Sequence, residues 1–145
     1  MPTLVPFSEL TTSQLYHLLK LRQDVFILEQ QCLYPDIDGI DPESLHCLWE
    51  TDGQLDGYIR VIPEPDQARI GRVVLRESAR GTGLAGKLMA EVVRLCEERF
   101  PEQDQVLSAQ AHLVGFYGRF GFVEESEEYL EDGIPHVDMR KTAAS

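Results

Sequence analysis

The chain has 145 residues, 43% hydrophobic and 26% charged, the proportions of one ordinary globular domain, which is expected to span residues 1–145. Its net charge of −12 excludes the basic face on which general nucleic-acid binding rests, since phosphate neutralisation supplies most non-specific affinity. No apolar run approaches the roughly 20 residues of a spanning helix, and MPTLVPFSEL lacks the positive-then-apolar pattern of a secretory signal, so a cytoplasmic protein without a membrane partner is expected. Cys32, Cys47 and Cys96 are far apart, odd in number and form no C-x-x-C, which argues for reduced, buried thiols and against a disulfide framework or a metal site.

Residues 4–7 read as a short strand. Thr11, Thr12 or Ser13 can cap a helix in which Leu15, Leu18, Leu19, Val25 and Phe26 recur at helical spacing, with Arg22 on the same face. Arg22 is expected either as a buried cation paired with Glu29 or a loop aspartate, or as part of an acceptor site. An acidic loop, PDIDGIDP, follows over residues 35–42. Then LHCLWE, QLDGYIRVI and ARIGRVVL read as three antiparallel strands. Asp52-Gly53 forms the first hairpin turn, and a turn around Pro65 joins the second pair. Leu84, Leu88, Val92 and Leu95 share one face of a helix that Pro101 stops. QVLSAQA reads as a strand, LVGFYGRFG as a short helix ending at Gly121, and FVEESEEYL and HVDMRK as two last strands. The order β-α-β-β-β-α-β-α-β-β makes an α/β protein with a mixed sheet.

Between the third meander strand and its helix lies Arg80-Gly81-Thr82-Gly83-Leu84-Ala85-Gly86. A helix start leaves N–H groups unpaired and partly positive, glycine permits close approach, and arginine suits phosphate. These residues suit an anion site; a glycine-rich helix start without a ligand is the alternative. The same string satisfies G-x-G-x-x-G, but a dinucleotide fold places its first glycine almost directly after the strand. Here residues 76–80 intervene, and the remaining chain is too short for the doubly wound domain.

Read as R-x-x-G-x-A, Arg80, Gly83 and Ala85 resemble the pyrophosphate motif of the GNAT N-acetyltransferase superfamily. IGRVVL resembles its central strand, and AQAHLVGFYGRFGFV its second conserved segment. LRQDVFILEQQ, DIDGID and LEDGIPHVDM resemble the ElaA-type subgroup more narrowly, so the resemblance runs from about residue 15 to 140. It implies a mixed, mostly antiparallel sheet of six or seven strands, splayed in the middle, with three to four helices. It further implies acetyl-CoA as acyl donor in the splay, with its pyrophosphate on residues 80–86 and its pantetheine arm paired with Val73, Val74 and Leu75 like an added strand. Gln110 stands where many relatives carry an Asn near the donor. A small-molecule or peptide amine is the implied acceptor, and a homodimer is compatible with such folds.

Attack of an amine on a thioester needs a proton acceptor, a stabilised oxyanion and a proton for the leaving thiolate. The resemblance gives Tyr117 as general acid; otherwise it reads as a core tyrosine beside Phe116 and Phe120. The central strand carries Arg69, Ile70, Gly71 and Arg72 and no carboxylate, so the base is sought among imidazoles, His112 first, then His46 and His136; the alternatives are histidines with a structural role and deprotonation by bulk water. That missing carboxylate keeps open a second reading, a CoA-binding sensor or partner module without turnover. Asp36, Asp38 and Asp41, and the cluster Glu124, Glu125, Glu127, Glu128, Glu131 and Asp132, are either solvated surface or an attractant for a cationic amine.

Overall fold

The computed structural model describes residues 2–143. A two-residue strand, β1 (Val5–Pro6), opens the sheet. Helix α1 (Thr12–Arg22) starts at a reciprocal cap: Thr11 Oγ1 accepts from Gln14 N–H at 3.0 Å, and Gln14 Oε1 accepts from Thr11 N–H at 3.0 Å. Past Arg22 the helix widens into a π-type turn over Gln23–Glu29. Leu18, Leu21 and Val25 bury against Leu48, Tyr58 and Val74 of the sheet.

β2 (Leu45–Thr51), β3 (Gln54–Pro63) and β4 (Gln67–Leu75) form the expected meander. Asp52 and Gly53 take φ of 51° and 77°, the left-handed pair that a two-residue hairpin turn requires. Helix α2 (Leu84–Arg99) buries Leu88, Met89, Val92, Val93 and Cys96 on the opposite face of the sheet from α1. Leu95, expected on the buried face, sits at its half-exposed margin, and Cys96 takes the core position.

β5 (Asp104–Gln110) leads through a single 3-10 turn at Ala111–Leu113 into α3 (Val114–Gly118). The expected single strand over FVEESEEYL is two, β6 (Val123–Glu124) and β7 (Tyr129–Glu131), both on β8 (Ile134–Lys141). Residues 125–128 have three carboxylates and nothing apolar to bury, so the chain loops out between the two pairings. The sheet order is β1-β2-β3-β4-β5-β8-β6, with β7 also on β8, giving eight strands. The two very short last strands account for the excess over six or seven.

Two features of β4 shape everything near the cleft. Tyr58 and Arg60 of β3 oppose Val74 and Gly71, so β4 carries one extra residue, and Arg72 there has φ of 52°. β4 and β5 are the parallel pair, and their pairing runs only from Gln67↔Asp104 to Ile70↔Leu107. Beyond Ile70 the two strands part.

The acidic loop folds inward onto three arginines. Arg22, 0% exposed, donates from Nε to Asp36 Oδ2 (2.9 Å), from Nη1 to Asp41 Oδ1 (2.8 Å) and from Nη2 to the Asp36 carbonyl (2.7 Å). Arg60 donates to both carboxylate oxygens of Asp38 (3.0 and 2.9 Å) and to Asp41 Oδ1 (3.0 Å). Arg72 Nε lies 2.8 Å from Asp36 Oδ1, in an orientation that makes an ion pair rather than a hydrogen bond. Its Nη2 reaches Asp38 Oδ2 at 3.2 Å. Three guanidiniums thus face three carboxylates. Glu29 takes no part in this knot, and pairs elsewhere.

Arg22→Leu takes the innermost cation from Asp36 and Asp41, leaves each with one guanidinium (Arg72 and Arg60) and the knot one positive charge short, and is expected to destabilise the fold by about 3 kcal/mol; urea unfolding measures it. Acid should attack the same place. Burial alone would raise the Asp38 carboxyl, but hydrogen bonds from Arg60 and the Ile40 N–H, with the charges of Arg60 and Arg72, hold it at about 2 against an ordinary 3.8. Asp41 shifts the same way. Folded values below unfolded ones mean that this stabilisation is complete above the unfolded value and is lost as pH falls through the folded one. Melting temperature should therefore drop between pH 4 and pH 2, and Arg60→Gln should flatten that drop.

Candidate active site

Where β4 leaves β5 the sheet opens into a cleft of about 760 Å³, within the range of small-molecule sites. Val73, Val74 and Leu75 line one wall. Their ladder partner is β3 alone, so backbone groups facing away from β3 have no strand to bond. The Arg72 bulge re-aims that edge. Gly71 opens it further, because nothing lies within 4 Å of where a Cβ would stand.

The wall runs on into the glycine segment. Gly81 and Gly83 take φ of 75° and 84°, which strain any other residue. Thr82 donates its hydroxyl to the Ala79 carbonyl at 2.6 Å, pinning the turn. Gly83 is the N-cap of α2 and offers no side-chain cap, so the first N–H groups of the helix, at Leu84, Ala85 and Gly86, face outward nearly unpartnered. Open space surrounds Gly86. Arg80 Nη1 donates to Glu29 Oε2 at 2.7 Å across the mouth of the cleft, a pair between half-exposed side chains.

Tyr117 on α3 lines the cleft, 7% exposed, packed edge-on against Phe116 and Phe122. Burial pushes its phenol up to about 12, and no described residue hydrogen-bonds its hydroxyl. It is at once a core residue and a cleft residue. Gln110, at the end of β5, and His112, exposed on the following turn, line the opposite wall.

The sequence profile described as "Acetyltransferase (GNAT) domain" matches residues 13–143. The chain belongs to the GNAT acetyltransferase family. It is 44% identical over 140 residues to Protein ElaA of Escherichia coli strain K12, an alignment covering 92% of this chain and 91% of that protein. Among solved structures, an acyl-CoA N-acyltransferase from Pseudomonas aeruginosa superposes with a TM-score of 0.93 at 42% identity, covering 98% of this chain and 99% of that one. The crystal structure of Escherichia coli ElaA superposes with a TM-score of 0.92 at 40% identity, over 97% and 99% of the two chains. The splayed mixed sheet is therefore the GNAT fold. No helix among the described residues is long and apolar enough to cross a membrane.

Several of the other sequence candidates lie outside this GNAT cleft. His46 is fully buried away from it: the Tyr58 hydroxyl donates to Nδ1 at 2.5 Å, and Nε2–H donates to the Asp41 carbonyl at 2.9 Å. Burial lowers its pKa, so it stays a neutral brace of the acidic loop. Arg22 is likewise structural, and the pairing with Glu29 considered for it is replaced by Asp36 and Asp41. Asp36, Asp38 and Asp41 have their charge cancelled by arginines and cannot serve as free attractants of a cation. In the second acidic cluster Glu125 pairs with Arg140 at 2.8 Å and Glu131 approaches His136, while Glu124, Glu127, Glu128 and Asp132 are solvated.

Sequence reading missed Arg60 and Arg72 as partners of the loop, and Tyr34, whose ring lies under Arg72 with 5.4 Å from guanidinium carbon to ring centre. It also missed Tyr129, which donates to Asp138 Oδ1 at 2.6 Å and touches the Ser108 hydroxyl. Alternation along β3 and β4 was the available signal for the arginines, since charges recur there among strand residues otherwise built for burial.

Proposed function

We propose that this chain is an acetyl-CoA-dependent N-acetyltransferase acting on a primary amine of a small molecule or peptide. The observation that carries the proposal is that one cleft joins two sets of open backbone groups: the edge of residues 71–75 of β4 that faces away from β3, and the N–H groups opening α2. The donor's amide-containing arm matches the strand edge at Val73, Val74 and Leu75. Its pyrophosphate matches Gly81, Thr82, Gly83, Leu84, Ala85 and Gly86, with Arg80 exchanging Glu29 for phosphate. Gln110 offers an amide from the facing wall. The likeness to an acyl-CoA N-acyltransferase of Pseudomonas aeruginosa supports this donor class.

Acetyl-CoA supplies its acyl group as a thioester; the residues supply the rest. Attack forms the C–N bond and breaks the C–S bond. An N–H of the bulged β4 edge meets the developing oxyanion. Tyr117, protonated at neutral pH because its pKa is pushed to about 12, gives its proton to the departing thiolate. An alkylamine of ordinary basicity is neutral in only roughly one molecule in two thousand at pH 7, so a base speeds the reaction, and His112 stands on the cleft wall as the candidate read from sequence. The absence of a carboxylate from β4 supports, in its place, a CoA-binding module without turnover.

Two measurements test the proposal. Acetyl-CoA at about 100 times its Kd should add about 2.7 kcal/mol and raise the melting temperature by roughly 5–10 °C, with no shift from NAD. Absence of a shift at millimolar acetyl-CoA removes the donor assignment. Tyr117→Phe should lower the rate of thiol release about 100-fold while keeping the thermal shift. Binding without turnover by the unaltered protein across a panel of amines establishes the module reading instead.

A further inference from the structure

Resting on the acyltransferase reading, we infer that His136, backed by Glu131, is the base that takes the proton from the acceptor amine. His136 is on β8, 8% exposed, and lines the same cleft as Tyr117. Its Nδ1 lies 2.7 Å from the Ile134 carbonyl oxygen. A carbonyl only accepts, so Nδ1 carries the hydrogen and Nε2 keeps its lone pair. Glu131 Oε2 stands 3.5 Å from Nε2, at ion-pair rather than hydrogen-bond geometry. The lone pair is thus left for another donor, and the imidazolium formed on protonation has a counter-charge waiting.

The ring is held in place. It stacks on Tyr129 at an interplanar angle of 27°, and the Tyr129 hydroxyl is tied to Asp138 and Ser108. In register, His136 pairs with Gln110 of β5 on one side and Tyr129 of β7 on the other. The titratable and charged groups around it are Glu131 and Tyr129 from β7, Asp132 from the turn, and Asp138 from its own strand; His112 shares the cleft. His112, by contrast, is exposed on a single 3-10 turn, with no described residue to fix its ring.

Strand alternation places acid and base on opposite sides of the sheet. Met139 and Ala109 pack with Tyr117 in the core beneath α2. His136 has the opposite parity to Met139 along β8 and faces the α1 side. The amine would enter from that side, away from the phenol that protonates the thiolate. The protons balance. An ammonium gives one proton to His136 Nε2, from which it leaves through Glu131, 53% exposed, to solvent. The second proton lost by nitrogen after the C–N bond forms replaces the one Tyr117 gave to sulfur. One proton is released for each amide made.

The test compares two amines at pH 7 by thiol release from acetyl-CoA: propylamine, almost wholly protonated, and methoxyamine, already neutral. His136→Asn, which retains a donor for the Ile134 carbonyl, is expected to lose about 100-fold in kcat/KM with propylamine but less than about threefold with methoxyamine, which needs no base. Glu131→Gln, at an exposed side chain, should lose about tenfold with propylamine and show the same rescue. Equal losses with both amines would mark His136 as structural and overturn the inference. So would an unchanged rate in His136→Asn, or a loss carried by His112→Gln instead. Failure of the unaltered protein to release thiol with these two amines and with the whole panel of amines, despite a thermal shift with acetyl-CoA, would overturn the acyltransferase reading itself.

Discussion

The knot of Arg22, Arg60 and Arg72 with Asp36, Asp38 and Asp41 ties three parts of the chain at one point: the end of α1, the loop after it, and the bulged middle of the sheet. A loop with three carboxylates within six residues would normally stay in water. Here each carboxylate finds a guanidinium already committed to an apolar setting, so desolvation of both signs is offset at once. The outcome bears directly on the cleft. Arg72 is both a member of the knot and the residue at positive φ that bulges β4. Strain in that backbone persists because the side chain is anchored at its far end. Loop, bulge and cleft edge therefore stand or fall together.

The same logic of two-sided use runs through the cleft. Tyr117 belongs to the core beneath α2 and also lines the opening, while His136 closes the other face with its hydrogen committed to a backbone carbonyl. The glycine segment adds a site made almost wholly of backbone, which suits a ligand whose charge is on phosphate. Since the internal knot is charge-balanced, the net charge of −12 is carried by the rest of the chain. A polyanionic donor thus needs these local N–H groups and Arg80.

Much of this was legible in residues that act locally. The Thr11–Gln14 cap, the Asp52-Gly53 turn, the α2 stripe and the glycine segment all lie within a few positions of their partners. The same Asp-Gly signal recurs at Asp132-Gly133, where φ values of 51° and 78° turn β7 into β8; it went unread because the acidic run before it has no strand alternation. What escaped was long-range. Arg22 was visible as an odd cation on an apolar face, but its partners lie 14 and 19 positions away and compete with a nearer Glu29. Glu29 in turn reaches Arg80 across 51 positions. The bulge at Arg72 depends on the register of β3, and the tautomer of His136 depends on the path of the chain two residues before it. Neither has a signature in composition or spacing.

The short parallel pairing of β4 and β5 gives the molecule a seam. Four residue pairs stitch the meander half of the sheet to the half containing β5 and β8. Beneath the stitches α2 acts as a splint, with Leu88, Met89 and Val92 packed in one core with Ile70 of β4 and Leu107 of β5. A chain-like ligand laid in the gap extends the stitching past its last rung. Its arrival would then register as stiffness across the joint, with the halves locked at an angle they already hold.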